Sequence, residues 1–466
     1  MKTNITDMTV GSPTRHLLLF SLPMMIGNIF QQAYNLADSI IVGRFLGADA
    51  FAAVGATGSI CFLFFALCNG LGGGGGIVVS QYYGSHDDKT VKKCIVNTGF
   101  IMLITPIVFG VLGFLLAPNL LRLLSTPESI LADAVSYTRY MSVGLLFVSL
   151  YNYVSSMMRA LGDSKTPLYF LIFSTFLNIF LDVVFVCILK MGISGAALAT
   201  IISQFISVIL CAVFAYITNP YFKPDKESFA LSGHLCYKII RLGVPMSLQF
   251  GLIAISSMAV QRIVNSYGTI AVAAFTATNR IEQLIHQPYT TLSASLSTYC
   301  GQNYGAKKTD RVYDGYRSAL RLMIVLTIVL ILGMQIFGKL ITGMFVSDEA
   351  VVELGARGLR ICSLFYFALG MIYVVRGILT GIGDAFFQLF NGIIEVIGRF
   401  TIPILFTSYL GFGEIGIWVS AGIVWVLSGA TAWIRYWTYF RSKITVDRQS
   451  FIPSFSSHKP IYKSHA

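Results

Sequence analysis

Charge is what this sequence has least of. Asp, Glu, Lys and Arg make up 12% of its 466 residues, about half the share of an ordinary soluble domain. Acids are the scarcer sign, 21 against 33 Lys and Arg. Residues 50–86, 94–121, 140–158, 191–222, 242–261, 283–306 and 415–434 contain none of the four. A helix needs only about 20 mostly apolar residues to cross the hydrocarbon core of a membrane, so these runs argue against a soluble domain. Alternating apolar and polar residues in segments of about ten are missing too, which argues against a transmembrane β-barrel. The expected class is an all-α polytopic membrane protein, because lipid cannot satisfy an open backbone.

Catalytic and metal signatures are also lacking. The eight cysteines include no CxxC and the six histidines no HExxH, the spacings that gather metal ligands. No GxSxG occurs. Neither an enzyme nor a cofactor is expected. Cys61, Cys68, Cys187 and Cys211 fall in apolar stretches and read as small packing residues. "GLGGGGG", residues 70–76, formally contains GxGxxG. It has no preceding strand and no downstream ribose-binding acid, and instead points to close helix contact or a flexible break. The first apolar run is too long for a signal peptide and lacks a small-residue cleavage pattern, so it is expected to stay as the first helix.

Twelve apolar segments are present, at roughly 15–43, 50–80, 91–117, 131–158, 167–189, 193–218, 235–262, 270–300, 315–338, 352–378, 386–410 and 414–440. With a cytoplasmic N-terminus, inner loops and tails carry 23 Lys or Arg and outer loops five: Arg44, Arg122, Lys190, Arg262 and Lys339. That asymmetry follows the positive-inside rule and places both termini in the cytoplasm of a cell membrane. It accounts for most of the net charge of +12 without a nucleic-acid partner.

The chain repeats itself. "GADAFAAVGAT" from Gly47 resembles "GTIAVAAFTAT" from Gly268, and "SQYYGS" from Ser80 resembles "GQNYGA" from Gly301. "LGD" at 161–163 matches "IGD" at 382–384, and "MGISGAALAT" from Met191 aligns with "FGEIGIWVSA" from Phe412. One constant offset relates every pair, Arg139 and Arg360 included; Pro23 and Pro245 depart from it by a single position. Six segments per half is an even number, so the halves insert the same way up. The expected architecture is two six-helix bundles related by a pseudo-two-fold axis along the membrane normal. The N-lobe would be 1–217, the cytoplasmic linker 218–234, the C-lobe 235–440 and a cytoplasmic tail 441–466.

The order and duplication of "LPMMIGNIFQQAYNLADSIIVGRFLG", "SQYYGS", "RALGDSKTP", "LGVPMSLQFG", "STYCGQNYGA" and "GIGD" resemble the multidrug and toxic compound extrusion (MATE) transporters over nearly the whole chain. That resemblance implies two six-helix lobes and export of organic cations or other amphiphiles, coupled to inward proton or sodium flow.

Duplication also supplies an internal control. Residues shared by both halves serve the common scaffold; those in one half only are candidates for function. Gly84/Gly305, Gly162/Gly383, Asp163/Asp384 and Gly195/Gly416 are shared and read as turns and helix ends. Asp38 is not shared: its counterpart is Ala259 or Val260. Asp182 faces Pro403, Asn178 faces Arg399 and Thr200 faces Ala421. Tyr34 and Asp38 are i,i+4, as are Asn178 and Asp182, and such pairs share a helix face. Asp38, Asp182 and Thr200 all fall within about 7–11 Å of the outer boundary. Depth therefore permits one site, although spacing alone does not show that the helices face one another. In the MATE resemblance, Tyr34, Asp38, Asn178, Asp182 and Thr200 match the family's N-lobe cation-binding cluster. Oxygen ligands suit Na⁺ at Asp38, Asn178, Asp182 and Thr200, and close carboxylates can equally share a proton. The plainer alternative is that Asp38 only hydrogen-bonds a neighbouring helix, but intramembrane acids are functional candidates by default.

The second half has its own polar set. Glu282 and His286 are i,i+4, as are Glu395 and Arg399. Glu282 is the C-lobe acid that could meet a cationic substrate. His286 is either titratable near neutrality or a packing residue. Glu395–Arg399 is either an ion pair bracing the lobe or part of a substrate cavity. Some MATE members carry an acid in the seventh helix, where this chain offers only Gln249 and serines. Pro23 removes a backbone bond in the first helix and is a hinge candidate.

The expected function is a monomeric, cation-coupled (H⁺ or Na⁺) multidrug antiporter working by rocking-bundle alternating access. The second reading is a flippase for a lipid-linked oligosaccharide or cell-wall precursor. A pyrophosphate-bearing substrate calls for several cavity Arg or Lys, and only Arg399 and Arg280 lie at mid-membrane depth. A membrane enzyme and a passive channel are further alternatives, the former lacking its motifs and the latter having no need of two rocking halves.

Overall fold

The computed structural model describes residues 4–124 and 126–440. Residues 1–3 and the expected tail at 441–466 lie outside the described residues. Helices run Pro13–Phe45 (α1), Ala48–Gly84 (α2), Asp88–Leu123 (α3), Glu128–Ala160 (α4), Lys165–Asp182 (α5) and Ile193–Thr218 (α6). Gly233–Asn265 (α7), Thr269–Gly305 (α8), Thr309–Gly343 (α9), Glu349–Ser363 (α10), Tyr366–Gly381 (α11), Phe386–Ile404 (α12) and Gly416–Arg435 (α13) follow. No strand occurs among the described residues. A π-helical turn extends α5 over Val183–Ile188, and its counterpart extends α12 over Leu405–Tyr409.

Local chemistry sets the boundaries. α1 opens on Pro13, whose missing N–H is no loss in a first turn. Asp87 and Asp348 cap α3 and α10 by accepting the N–H of Thr90 and Val351. Gly47 and Gly268 precede α2 and α8 with φ of 89° and 86°, a region open to glycine at little cost. Positive φ recurs with the same period at His86/Lys307, Gly162/Gly383, Lys190/Gly411 and Gly192/Gly413. The duplication is thus written in the backbone as well as in the sequence.

Two departures stand out. The segment expected at 352–378 is two helices, α10 and α11, bent by 52° at Leu364–Phe365. Among the described residues nine spans are long and apolar enough to cross a membrane, and the bent pair makes a tenth. α1 and α8, the remaining two of the twelve expected, are long enough but interrupted by polar residues such as Asn28, Asn35, Arg280, Glu282 and Gln287. Asn28, Glu282 and Gln287 are partly buried, whereas Asn35 and Arg280 are exposed. Outward faces are apolar. Ile104, Val111 and Leu115 on α3 and Val325, Val329 and Ile336 on α9 are exposed, as hydrocarbon allows and water would not.

α1–α6 and α7–α13 form two bundles that meet through α1–α8, α2–α7 and α2–α8. The glycine run keeps α2 unbroken and brings it close to its neighbours. A Cβ on Gly74 would lie 2.6 Å from Gly243 N and 2.7 Å from Ile239 O of α7. One on Gly76 would lie 2.7 Å from Ser156 Oγ of α4. Close contact, not a break, is what "GLGGGGG" provides.

Candidate functional site

α1, α5 and α6 bring the five N-lobe candidates together. The Tyr34 phenol and the Thr200 hydroxyl are hydrogen-bonded at 3.0 Å. Oriented by its hydrogen bonds, the Asn178 amide donates to Asp182 Oδ2 at 2.9 Å and accepts from the Thr200 N–H at 3.3 Å. Asn178 and Asp182 are fully buried. Asp38 lies within electrostatic range of Asp182 and Tyr34. One oxygen of Asp38 and one of Asp182 are buried with no hydrogen-bond partner. Asp38 makes no hydrogen bond or ion pair with any described residue. The plainer reading, a carboxylate tying α1 to a neighbour, is therefore not met. Buried polar atoms are nearly always paired because leaving them unpaired is expensive. Two orphan carboxylate oxygens beside a phenol, an amide and a hydroxyl offer the oxygen chemistry that a small hard cation or a proton takes. No three His, Cys, Asp or Glu side chains gather among the described residues.

The C-lobe holds a cavity of 210 Å³ lined in part by Val260, Arg399, Pro403 and Ala421. Arg399, Pro403 and Ala421 are the repeat counterparts of Asn178, Asp182 and Thr200, and Val260 is one of the two positions that answer to Asp38. Corresponding positions thus carry an oxygen cluster in one lobe and line a cavity in the other. Glu282 and His286 line that void from α8. Tyr366 donates to Glu282 Oε1 at 2.8 Å, and the second Glu282 oxygen is buried and unpartnered. His286 Nε2 lies 3.8 Å from Glu282 Oε2, while Nδ1 is 3.2 Å from the Tyr373 hydroxyl. Trp425 meets the His286 ring edge-on at 5.8 Å.

Where the chain begins and where the 219–232 linker runs, the lobes are tied together. Gln81 Nε2 donates to Gly381 O at 2.9 Å, and Gln302 Nε2 donates to Ala160 O at 3.0 Å. Met8 N–H donates to Gln302 Oε1, and Arg311 and Lys308 donate to the carbonyls of Met8 and Thr9. Farther along, only Ser295–Leu17, Asn28–Gln287 and Ser247–Leu67 bridge the lobes, none beyond mid-helix. Hydrogen bonds between the lobes thus stop halfway across among the described residues. Above the closure lies an interlobe cavity of 330 Å³ that includes Gln249, Arg159 and Arg376.

A family model described as MatE matches residues 23–184 and 245–405, once in each half. The chain belongs to the MatE family. It is 34% identical over 447 residues to the "Probable multidrug resistance protein YpnP" of Bacillus subtilis (strain 168), covering 95% of this chain and 99% of that one. "Multidrug export protein MepA" of Staphylococcus aureus (strain N315) is 23% identical over 446 residues, covering 94% and 96%. A crystal structure of MATE in a bent conformation shares the fold, with a TM-score of 0.89 at 22% identity over 97% of this chain and 99% of that one. This MatE chain is accordingly a multi-pass membrane protein of a multidrug efflux family with small-molecule substrates.

Within the MatE frame the remaining candidates separate. Glu395 does not pair with Arg399. Its partner is Arg376 of α11, whose guanidinium also donates to Asn391 while Ser428 donates to Glu395. A partner on the neighbouring helix, held in a buried network, has displaced the one a turn away on the same helix. Arg399 instead reaches Ser256 and Ser257 at 3.5 and 3.4 Å and lines the C-lobe cavity. Gln249 does not join the C-lobe set; it faces the interlobe cavity. Pro23 is buried inside an unbroken α1. The shared Asp163/Asp384 pair has diverged: Asp163 caps the start of α5, while Asp384 takes a two-nitrogen bond from Arg435. By position near helix ends, Arg159 and Arg376 count only as inner-face charges. Their counterparts, Thr380 and Ser155, are not basic, and that one-half-only signal marks them as it marks the acids.

Proposed function

We propose that this MATE chain is a cation-coupled multidrug antiporter, using H⁺ or Na⁺ to export organic cations or amphiphilic compounds by rocking of its two lobes. The observation carrying this reading is the pair of orphan buried oxygens on Asp38 and Asp182, beside a hydrogen-bonded frame of Tyr34, Thr200 and Asn178. A carboxylate that ties nothing together in the fold has its use in binding something that comes and goes. A proton or Na⁺ entering there neutralises buried charge, removes mutual repulsion and changes the packing preference of α1, with Pro23 as the point of flexure. The coupling ion is cargo; no resident cofactor is invoked.

In this reading the linker face is cytoplasmic, with both termini inside and the protein in the plasma membrane as a monomer. Support comes from the 23-to-5 distribution of loop charge. The interlobe hydrogen bonds gathered at that face make a gate that must open for drug to enter. The orphan oxygen of Glu282 in the C-lobe cavity is the counter-charge for a cationic drug. The names of the relatives, a multidrug resistance protein and a multidrug export protein, agree with this substrate class.

A flippase for a pyrophosphate lipid is the second reading. Arg159 and Arg376 on the interlobe cavity favour it, but Glu395 neutralises Arg376. One remaining cation is too few for a pyrophosphate. Ethidium accumulation in inverted membrane vesicles separates the readings. A proton gradient and a sodium gradient, imposed one at a time, should drive accumulation with one of them. If neither gradient drives it, the antiport reading fails.

A further inference from the structure

Arg159 poses a problem of its own. It lies at the inner end of α4, half-buried, and lines the interlobe cavity. Its guanidinium makes no hydrogen bond and no ion pair with any described residue. No Asp or Glu lines that cavity among the described residues. Arg376, the other cation there, is already held by Glu395 and Asn391. The cavity therefore carries one uncompensated positive charge. Such a charge, half-buried and without a counter-ion, is a ready donor to an anion.

Thr380, Gln388 and Gln249 are among the amide and hydroxyl groups that share the cavity with it. Thr380 is 4% exposed and its Oγ1 is buried without a partner. Gln388 Oε1 is likewise buried and unpartnered. Gln249 is 5% exposed and its amide bonds to no described residue. The rest of the wall includes Phe250 and Tyr373, which offer apolar surface. Thr380 is the repeat counterpart of Arg159, so the duplicated scaffold is built equally well without an arginine. Packing does not require the charge.

We infer that the interlobe cavity binds the anionic end of an amphiphile, a carboxylate or a phosphate group, at Arg159. The guanidinium donates to the anion, with the Thr380 hydroxyl and the Gln249 amide as further donors. Gln388 Oε1 accepts from an N–H or O–H beside the anionic group. Phe250 and Tyr373 cover the apolar body. The ligand is thus an amphiphile with one negative group and an adjacent donor, a class distinct from simple organic cations. Ala160, next to Arg159, accepts the closing bond from Gln302, so the occupied site lies one residue from the gate.

The test is equilibrium binding with no ion gradient, so it stands apart from the antiport reading. Full-length protein is placed in phosphatidylcholine nanodiscs. The probes are 11-(dansylamino)undecanoic acid and a dansyl alkyl trimethylammonium of the same length. Arg159→Gln should weaken the carboxylate probe about tenfold or more, Arg159→Lys should keep most of its affinity, and the cationic probe should not weaken. Thr380→Val, which keeps shape, should weaken the carboxylate probe by a smaller factor and serves if Arg159→Gln does not fold. Displacement by inorganic phosphate assigns the site to free anions, and displacement by phosphatidylglycerol in the disc assigns it to lipid headgroups. Unchanged carboxylate binding in folded Arg159→Gln, or equal weakening of both probes, overturns the site.

Discussion

Gln81 and Gln302, repeat counterparts of each other, make the same hydrogen bond from opposite lobes. Each amide reaches a backbone carbonyl of the other lobe, Gly381 and Ala160, which are themselves repeat counterparts. The pseudo-two-fold axis passes between them, where α2 and α8 cross. Gly84 and Gly305 end these helices there, and a Cβ on either would overlap the Gln302 or Gln81 carbonyl. Turn and helix-end roles expected for these glycines are joined by a second one, close approach at the crossing.

Each glutamine bond is worth about 1 kcal/mol net. Gln81→Leu and Gln302→Leu should each loosen the linker-face closure by about fivefold in population. Maleimide labelling of a cysteine placed at Ser297, on the interlobe cavity, should speed up from the linker side accordingly. Labelling at the unaltered rate in both variants would mean that the closure does not rest on these bonds.

Gly74→Ala should destabilise the protein, because the new methyl meets the α7 backbone at 2.6–2.7 Å rather than a flexible side chain. Overpacking of this kind costs about 1–3 kcal/mol. A lower melting temperature in detergent is expected. Gly55→Ala, also on α2 but with open space around it, should leave the melting temperature unchanged.

Arg376 and Glu395 are both buried, at 6% exposure. Removing one partner leaves the other charge stranded. Arg376→Met should cost about 3–5 kcal/mol, and the double variant Arg376→Met/Glu395→Leu should recover most of it. If the double variant is as unstable as the single, the pair does not brace the lobe as a pair.

Glu282→Gln keeps the shape of the side chain and removes its charge. Ethidium binding to purified protein should weaken about tenfold if this carboxylate meets the drug. Ion-gradient coupling, which the proposed mechanism assigns to the N-lobe, should remain measurable at saturating ethidium. Loss of coupling without loss of binding would move Glu282 from substrate to ion.

Much of this was legible in the sequence. Uncharged runs marked the membrane helices because lipid penalises each charge separately, and the constant offset between matching segments marked the two halves. Asp38, Asn178, Asp182 and Thr200 stood out because their counterparts are Ala259 or Val260, Arg399, Pro403 and Ala421. What stayed hidden depends on contacts between helices. Arg376 reaches Glu395 from α11, whereas Arg399 sits one turn from Glu395 on α12 itself; spacing along one helix says nothing of a closer partner on the next. The bend at Leu364–Phe365 contains neither proline nor glycine, so no local signal announces it. Arg159 was hidden by its position, since a basic residue near an inner helix end already has an explanation in topology. Its uncharged counterpart Thr380 and the lack of a side-chain partner among the described residues together set it apart.

Asp38 remains the residue on which the account turns. It is buried in part, unpaired, and replaceable by an apolar residue in the duplicated lobe. The most direct measurement is gradient-driven ethidium accumulation in inverted vesicles of Asp38→Asn, beside ethidium exchange with no gradient. The account predicts that accumulation falls at least about tenfold, while exchange continues. Accumulation at the wild-type level in Asp38→Asn would contradict it.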